Sequence, residues 1–161
     1  MWLQLPSHRN ADETASELRF ASLTQGEQVF VWSARQWLLS RRNQRCIKCD
    51  LIGPYRRFQC VEAISHLNRF MGLLIGAPIR PLELRHPNFP EISHDERIML
   101  RVVQAAAAMC DVPAARAAAG QLVCAGVTDL SESARRYGQS LMSGGLSLNS
   151  YRQLTLIARA A

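Results

Sequence analysis

The sequence predicts an all-α domain of five to seven helices, interrupted by a proline-rich central connector. In several segments apolar residues recur three or four positions apart, which is the spacing of one helix face. Alanine is common after Gln104, where β-branched and aromatic residues are sparse. No stretch alternates between apolar and polar residues as a half-buried strand does. Together these three observations favour a fold built from helices alone.

The chain divides into a polar arm and one helical domain. Residues 1–23 are polar and weakly patterned, and we expect either a flexible arm or a helix laid across the body. Residues 24–161 form the predicted domain, with helical halves at 24–77 and 93–161 and a connector at 78–92 that contains four prolines. Each half is small for a stable core of its own, so we expect the halves to share one core.

The first half is expected to contain two helices. Thr24 and Glu27 form a capping-box pattern, and the helix that they start should fade within residues 41–45. The dipeptide Gly53–Pro54 is typical of a break between helices. A second helix is therefore expected over about residues 55–74, where apolar residues form one stripe.

The second half begins at the clearest helix start in the chain. Ser93 and Glu96 form a second capping box, and an alanine-rich antiparallel hairpin follows. Further helix starts are expected at Asp111, Asp129 and near Asn149, and helix ends at Gly126 and Gly144.

Composition and charge bear on partners and compartment. The formal net charge of +6 and the pI of about 9.5 favour anionic partners. The N-terminus lacks the pattern of a signal peptide, and the best apolar run, "FMGLLIGAPI", has 10 residues where a bilayer crossing needs about 20. An odd count of five cysteines suggests reduced thiols. We expect a cytoplasmic protein that does not enter membranes.

The stretch "RCIKCDLIGPYRRFQCVEAISH" raises the question of a metal site. Cys46 and Cys49 form a CxxC pair, which is half of a structural zinc site, and Cys60 and His66 follow. On one helix, however, Cys60 and His66 would stand roughly 9 Å apart along the axis, too far to share an ion. We therefore predict no metal site. If the protein does bind a metal, Cys46, Cys49 and Cys60 are the candidate ligands. A redox pair is a second alternative, although a thioredoxin-like motif should follow a strand and open a helix.

A basic cluster is the main candidate for binding anions. Asp50 is its only acid, and Tyr55 and Phe58 nearby could stack on bases. The alternative is a solvated helix end followed by a loop. The members of the cluster are Arg41, Arg42, Arg45, Lys48, Arg56 and Arg57.

Catalysis is not indicated by any motif. His86, His94, Asp95 and Glu96 could serve as acids or bases, but the last three occupy a helix start, where polar residues belong. No nucleophile elbow, phosphate-binding loop or dinucleotide fingerprint is present, so we expect no enzyme and no cofactor.

Two segments carry a resemblance to a known group of proteins. The helix that ends in "WLLSRR" and the stretch "FMGLLIGAPIRPLELRHPNFPEISHDERIML", followed by the alanine-rich hairpin, cover residues 37–125. This layout resembles small helical bacterial proteins, alphaproteobacterial ones among them, that have no assigned activity. In such proteins a cysteine-containing turn would precede the acidic helix start, and here His86 and Phe89 stand there instead. The resemblance implies an all-α fold and transfers no catalytic residue.

Three functions follow from these observations. The first is a non-catalytic interaction or regulatory protein that binds a protein partner or forms a homodimer, with Trp32 off the apolar face as a candidate contact. The second is a nucleic-acid-binding accessory protein that uses the basic cluster. The third is a helical protein stabilised by zinc.

Overall fold

The protein is all-α, as predicted. A computed structural model describes residues 18–108 and 112–148, and within them six α-helices and one short 3₁₀ turn occur. None of the helices in these two ranges is long and apolar enough to cross a membrane. The predicted cap at Asp111, the predicted helix from Asn149 and most of the polar arm lie outside the described residues. The 3₁₀ turn is Phe20–Ser22, and the helices are α1 Gln25–Arg42, α2 Ile47–Arg57, α3 Ala63–Gly76, α4 His94–Ala107, α5 Val112–Ala119 and α6 Val127–Ser143.

Both predicted capping boxes are present. The Thr24 hydroxyl accepts from the Glu27 backbone N–H, and the Glu27 carboxylate accepts from the Thr24 N–H at 2.9 Å. At α4 the Ser93 hydroxyl accepts from the Glu96 backbone N–H, and the Glu96 carboxylate accepts from the Ser93 backbone N–H. Each box satisfies N–H groups that have no partner within their helix, which explains why these two starts could be placed from sequence.

The predicted break at Gly53–Pro54 and the predicted start of the second helix at residue 55 are wrong. Both residues lie inside α2, and the break falls between Arg57 and Ala63. Proline costs about 3 kcal/mol inside a helix, and the complete burial of its neighbours Leu51 and Tyr55 offsets that cost.

The true end of α2 is a left-handed residue. Gln59 has φ 55°, its N–H reaches the Arg56 carbonyl, and the Cys60 N–H reaches the Tyr55 carbonyl at 3.0 Å. This pair of bonds defines a Schellman motif, which usually holds glycine at the left-handed position. Helix α1 ends the same way at Gln44, with φ 54°. Glutamine gives no such signal in a sequence, so the end of α2 was not predicted, whereas the end of α1 falls within the predicted residues 41–45.

Helix α5 also ends earlier than predicted, at Ala119 instead of Gly126. The chain beyond it turns to the connector, where the Ile79 N–H donates to Leu122 and the Cys124 N–H donates to Ala77. Gly126, with φ 75°, is the N-cap of α6 and not the end of α5. Backbone pairing with the connector therefore replaces the last predicted turns of helix.

Buried residues of the two halves form one cluster. α3 packs on α6, α4 packs on both α5 and α6, and α1 contacts α2, α3 and α4. The ring of Phe30 from α1 lies 6.0 Å from Phe70 of α3 and 5.5 Å from Tyr137 of α6. Gly138 lets α6 approach α4, because a Cβ there would lie 2.6 Å from the Ala107 methyl.

A buried ion pair ties the connector to both halves. Arg35 of α1 and Glu96 of α4 form a bidentate pair at 2.7 and 2.8 Å, and their side chains are 0% and 2% exposed. The remaining Arg35 donors bind the carbonyl groups of His86, Phe89 and Glu91. The connector is therefore held by hydrogen bonds despite its lack of regular structure.

Candidate nucleic-acid interface

The turn between α1 and α2 is organised by Asp50. Its carboxylate accepts from the Ser40 hydroxyl at 2.6 Å and from the Arg45 guanidinium at 2.7 Å. Ser40 is buried at the end of α1, so these bonds fix the start of α2 against it. Around this turn Arg41, Arg42 and Lys48 are exposed to solvent. The exposed cations therefore stand on a turn whose backbone is held in place by the Asp50 hydrogen bonds.

A surface groove lies beside this turn, between the start of α2 and α3. Arg45 and Lys48 line one wall, and Ser65 and Asn68 line the other. Ile47 and Ile64 also line it, and the groove encloses about 360 Å³. It thus combines two cations, a hydroxyl and an amide along a short path.

A second groove continues from the first between α3 and α6. Ser65 lines both grooves, so the two are neighbours along α3. The second encloses about 270 Å³, and its lining residues are Ser65, His66, Arg69, Glu132, Ser133 and Arg136. We refer to the two grooves together as the basic trough.

The acid in the trough is neutralised by two arginines. Glu132 accepts from the Arg135 Nε at 2.7 Å and from the Arg136 Nε at 2.9 Å. These hydrogen bonds, Arg135 first, lower the pKa of Glu132 to about 2. Arg136 lines the trough beside Glu132, whereas Arg135 lines a separate pocket next to α5, so Arg136 balances the charge of Glu132 within the trough. Burial lowers the pKa of His66 and the charge of Arg136 lowers it further, while Glu62 opposes them, so His66 holds less charge than an ordinary histidine.

The structure divides the predicted basic cluster. Arg45 and Lys48 line the trough, and the Arg41 guanidinium lies 5.4 Å from the ring of Trp37 at the same end of α1. Arg56 and Arg57 end α2, more than two helical turns and about 12 Å beyond Lys48. They are exposed there and belong to a different part of the surface.

Of the two aromatic residues named for base stacking, Tyr55 is fully buried and Phe58 is partly buried. Tyr55 is 0% exposed, and its hydroxyl bonds Ser33 at 2.9 Å and Tyr137 at 2.8 Å. Phe58 is half-buried against the core and carries the Arg57 guanidinium 5.8 Å from its ring. Stacking by Tyr55 is therefore excluded by burial, because its ring lies in the core.

The predicted basic cluster does not include two cations of the trough. Arg69 belongs to α3 and Arg136 to α6, and only the packing of α3 on α6 brings them together. A local excess of charge finds Arg45 and Lys48 but cannot find residues that are distant along the chain. The exposed side of α3, opposite its apolar stripe, is the one signal that could have suggested Arg69.

The structure brings Cys46 and Cys49 together but keeps Cys60, the third metal candidate, away from them. Cys46 is the exposed N-cap of α2, with Cys49 in the next turn, whereas Cys60 is 0% exposed beyond the other end of that helix. Burial raises the pKa of the Cys60 thiol. Within residues 18–108 and 112–148 no three potential metal-ligating side chains converge.

The acidic residues considered for acid–base chemistry form ion pairs that stabilise the fold. Asp95 accepts from both terminal nitrogens of Arg80, at 2.9 and 2.6 Å, and from the Glu83 backbone N–H. The partner of Glu96 is Arg35. Each carboxylate is committed to a different arginine, so the two do not act on one reacting group.

Trp32 is half-buried instead of exposed. It packs against the core and lines a shallow apolar groove with Phe20, Val29 and Pro54. Contact between Trp32 and a partner remains a prediction.

Comparisons of the chain with models of known protein families, with curated proteins and with solved structures found no match.

Proposed function

We propose that the protein is a non-catalytic accessory module that binds nucleic acid by holding its phosphate backbone in the basic trough. The observation that carries this proposal is that Arg45, Lys48, Arg69 and Arg136 line two neighbouring grooves that share Ser65. Phosphate neutralisation by such cations supplies most of the affinity of sequence-independent binding.

The other groups in the trough suit the same ligand. Ser65, Ser133 and Asn68 add hydroxyl and amide groups, which commonly bond phosphate and sugar oxygens. Among the described residues that line the trough, none is phenylalanine, tyrosine or tryptophan. We therefore expect contacts to the backbone and little preference for sequence.

The expectation of a protein partner or a homodimer has weaker support and stays a prediction. The large apolar side chains that are exposed in the described part of the chain come from α3, the connector, α5 and α6. They are Ile75, Ile79, Phe89, Val112 and Met142. Apolar residues exposed singly are ordinary on protein surfaces, whereas the trough gathers several groups suited to one ligand.

The test is binding of labelled single- and double-stranded oligonucleotides, followed by fluorescence anisotropy over a range of salt concentrations. We expect affinity that falls linearly with the logarithm of the salt concentration. Lys48→Gln and Arg69→Gln should each reduce that slope by about one, because each removes one phosphate contact. Absence of binding at low salt overturns the proposal.

A matched control separates the trough from general positive charge. Arg56→Gln removes one charge from the same helix as Lys48 but outside the trough, so it should leave the salt slope unchanged. An equal loss of salt slope in Arg56→Gln and Lys48→Gln would contradict binding in the trough.

Lys48 is also the only lysine in the chain, so an amine acetylating reagent reports on it directly. Bound oligonucleotide should slow acetylation of Lys48 and leave the terminal amine as the internal reference.

A further inference from the structure

Helix α2 begins at a pair of exposed thiols. Cys46 is the N-cap residue, with φ −69° and ψ 104°, and its sulfur accepts from the Cys49 backbone N–H at 3.3 Å. Both cysteines are free and exposed. A thioredoxin-like CxxC follows a strand and begins a helix. Here the CxxC begins helix α2 but follows helix α1.

The spacing of the pair allows a disulfide. Residues three apart at a helix start have Cα atoms about 5 Å apart, within the range of roughly 4.4–6.8 Å that disulfides require. The two side chains already interact, because each is the largest cause of the shifted pKa of the other. A bond between them needs little movement of the backbone.

The two thiols differ in character. The hydrogen bond from Cys49 lowers the pKa of Cys46, with backbone N–H groups of the helix start assisting, and the same interaction raises the pKa of Cys49. Arg45 precedes the pair in the chain, and Lys48 lies between its two cysteines. An exposed thiol at a helix N-terminus among cations is the setting in which cysteines react as thiolates.

We propose that Cys46 and Cys49 form a redox-active dithiol that exchanges with disulfides of low-molecular-weight thiols such as glutathione. Cys46 is the attacking thiol and Cys49 the resolving one. This inference is independent of nucleic-acid binding.

The exchange proceeds in two balanced steps. The Cys46 thiolate attacks one sulfur of the small disulfide, so that a mixed disulfide forms and one small thiolate leaves and takes up a proton. The Cys49 thiol then loses its proton and attacks the Cys46 sulfur, which releases the second small thiol. The protein dithiol is oxidised by two electrons to one internal disulfide, and the small disulfide is reduced to two thiols.

The test uses glutathione disulfide with the full chain carrying Cys110→Ser, followed by mass spectrometry of intact protein and peptides. We expect the loss of two hydrogen atoms, located to a Cys46–Cys49 disulfide. In Cys49→Ser the mixed disulfide of Cys46 with glutathione should accumulate. In Cys46→Ser the reaction at Cys49 should be several-fold slower.

Cys124 provides the matched reference. It is exposed, but its thiol donates to the Ala77 carbonyl at 3.3 Å and caps no helix. Alkylation of Cys46 at neutral pH should be several-fold faster than alkylation of Cys124. Equal rates, or no internal disulfide over the range of glutathione potentials, would overturn the proposal. So would zinc that copurifies with the chain and is lost in Cys46→Ser, since the pair would then be a metal ligand shared with another molecule.

Discussion

The indole N–H of Trp37 donates to the amide oxygen of Asn68 at 2.9 Å, across the contact between α1 and α3. Trp37 is 1% exposed, while Asn68 lines the basic trough. A buried tryptophan usually needs a partner for its N–H, and here that partner is a residue of the candidate site. The core thus fixes the orientation of the Asn68 amide in the trough.

Asn68→Asp should weaken nucleic-acid binding without unfolding the protein. The carboxylate has the same shape and still accepts the Trp37 N–H, but it places a negative charge beside Arg45 and Lys48. We expect the salt slope of binding to fall by about one, as if one phosphate contact were lost. Anisotropy titrations over a salt series measure this slope.

Asn88→Asp is the control for that variant. Asn88 is exposed on the connector, so the same change of charge occurs away from the trough. Its binding should match that of the unmodified chain, and urea unfolding should show similar stability for both variants. If Asn68→Asp binds as tightly as Asn88→Asp, phosphate does not approach α3.

Arg35→Met should be among the most destabilising single changes in the chain. It leaves Glu96 buried and charged without its cation, and it removes the donors to three connector carbonyls. Breaking such a buried pair typically costs about 3–5 kcal/mol. Urea unfolding at neutral pH measures the loss in the free energy of unfolding.

Two further variants test whether the loss comes from the buried charge of Glu96. Arg56→Met removes an exposed arginine and should change stability by no more than about 0.5 kcal/mol. Arg35→Met combined with Glu96→Gln should recover part of the loss, because the glutamine keeps an oxygen for the Ser93 N–H but carries no charge. A double variant less stable than Arg35→Met would show that charge burial is not the dominant cost.

The features predicted correctly are those that depend on residues close together in the sequence. The boxes at Thr24 and Ser93 were found because each needs only two residues three apart. The break at Gly53–Pro54 was wrong because burial of Leu51 and Tyr55 outweighs local propensity. The predicted basic cluster contains Arg45 and Lys48 of the trough but not Arg69 and Arg136, because only the packing of three helices brings those two near it.

Gln59→Gly should stabilise the protein. Gln59 is held at φ 55°, where a residue with a Cβ atom loses roughly 1–2 kcal/mol that glycine does not. The greater freedom of glycine in the unfolded chain removes part of this gain, so we expect a net increase of about 0.5–1 kcal/mol in urea unfolding. Gln36→Gly, inside α1, should instead cost about 1 kcal/mol. A loss of stability in both variants would mean that the Gln59 side chain makes a needed contact.

The buried pair Tyr55 and Tyr137 should make stability fall in alkaline solution. Burial raises the pKa of Tyr55 from about 10 to about 12, and it raises the pKa of Tyr137 well above its ordinary value. Between these pH values the unfolded chain loses the two protons while the folded chain keeps them. The contribution of these two tyrosines to stability is therefore complete below about pH 10 and falls as pH rises toward 12. Each such tyrosine contributes a slope of about 1.4 kcal/mol per pH unit.

Tyr55→Phe tests this origin of the alkaline loss. The variant should be less stable by about 1 kcal/mol at neutral pH, because Ser33 and Tyr137 lose a hydrogen-bond partner. Above pH 10 its stability should decline less steeply than that of the unmodified chain, since one titrating group is gone. The chain has a single lysine and its arginines stay charged throughout. Its cysteines, including buried Cys60 with its raised pKa, are present in both proteins, so the difference between the two slopes reports on Tyr55. Urea unfolding in reducing buffer at several alkaline pH values gives both slopes, and parallel slopes would show that Tyr55 titrates alike in the folded and unfolded chains.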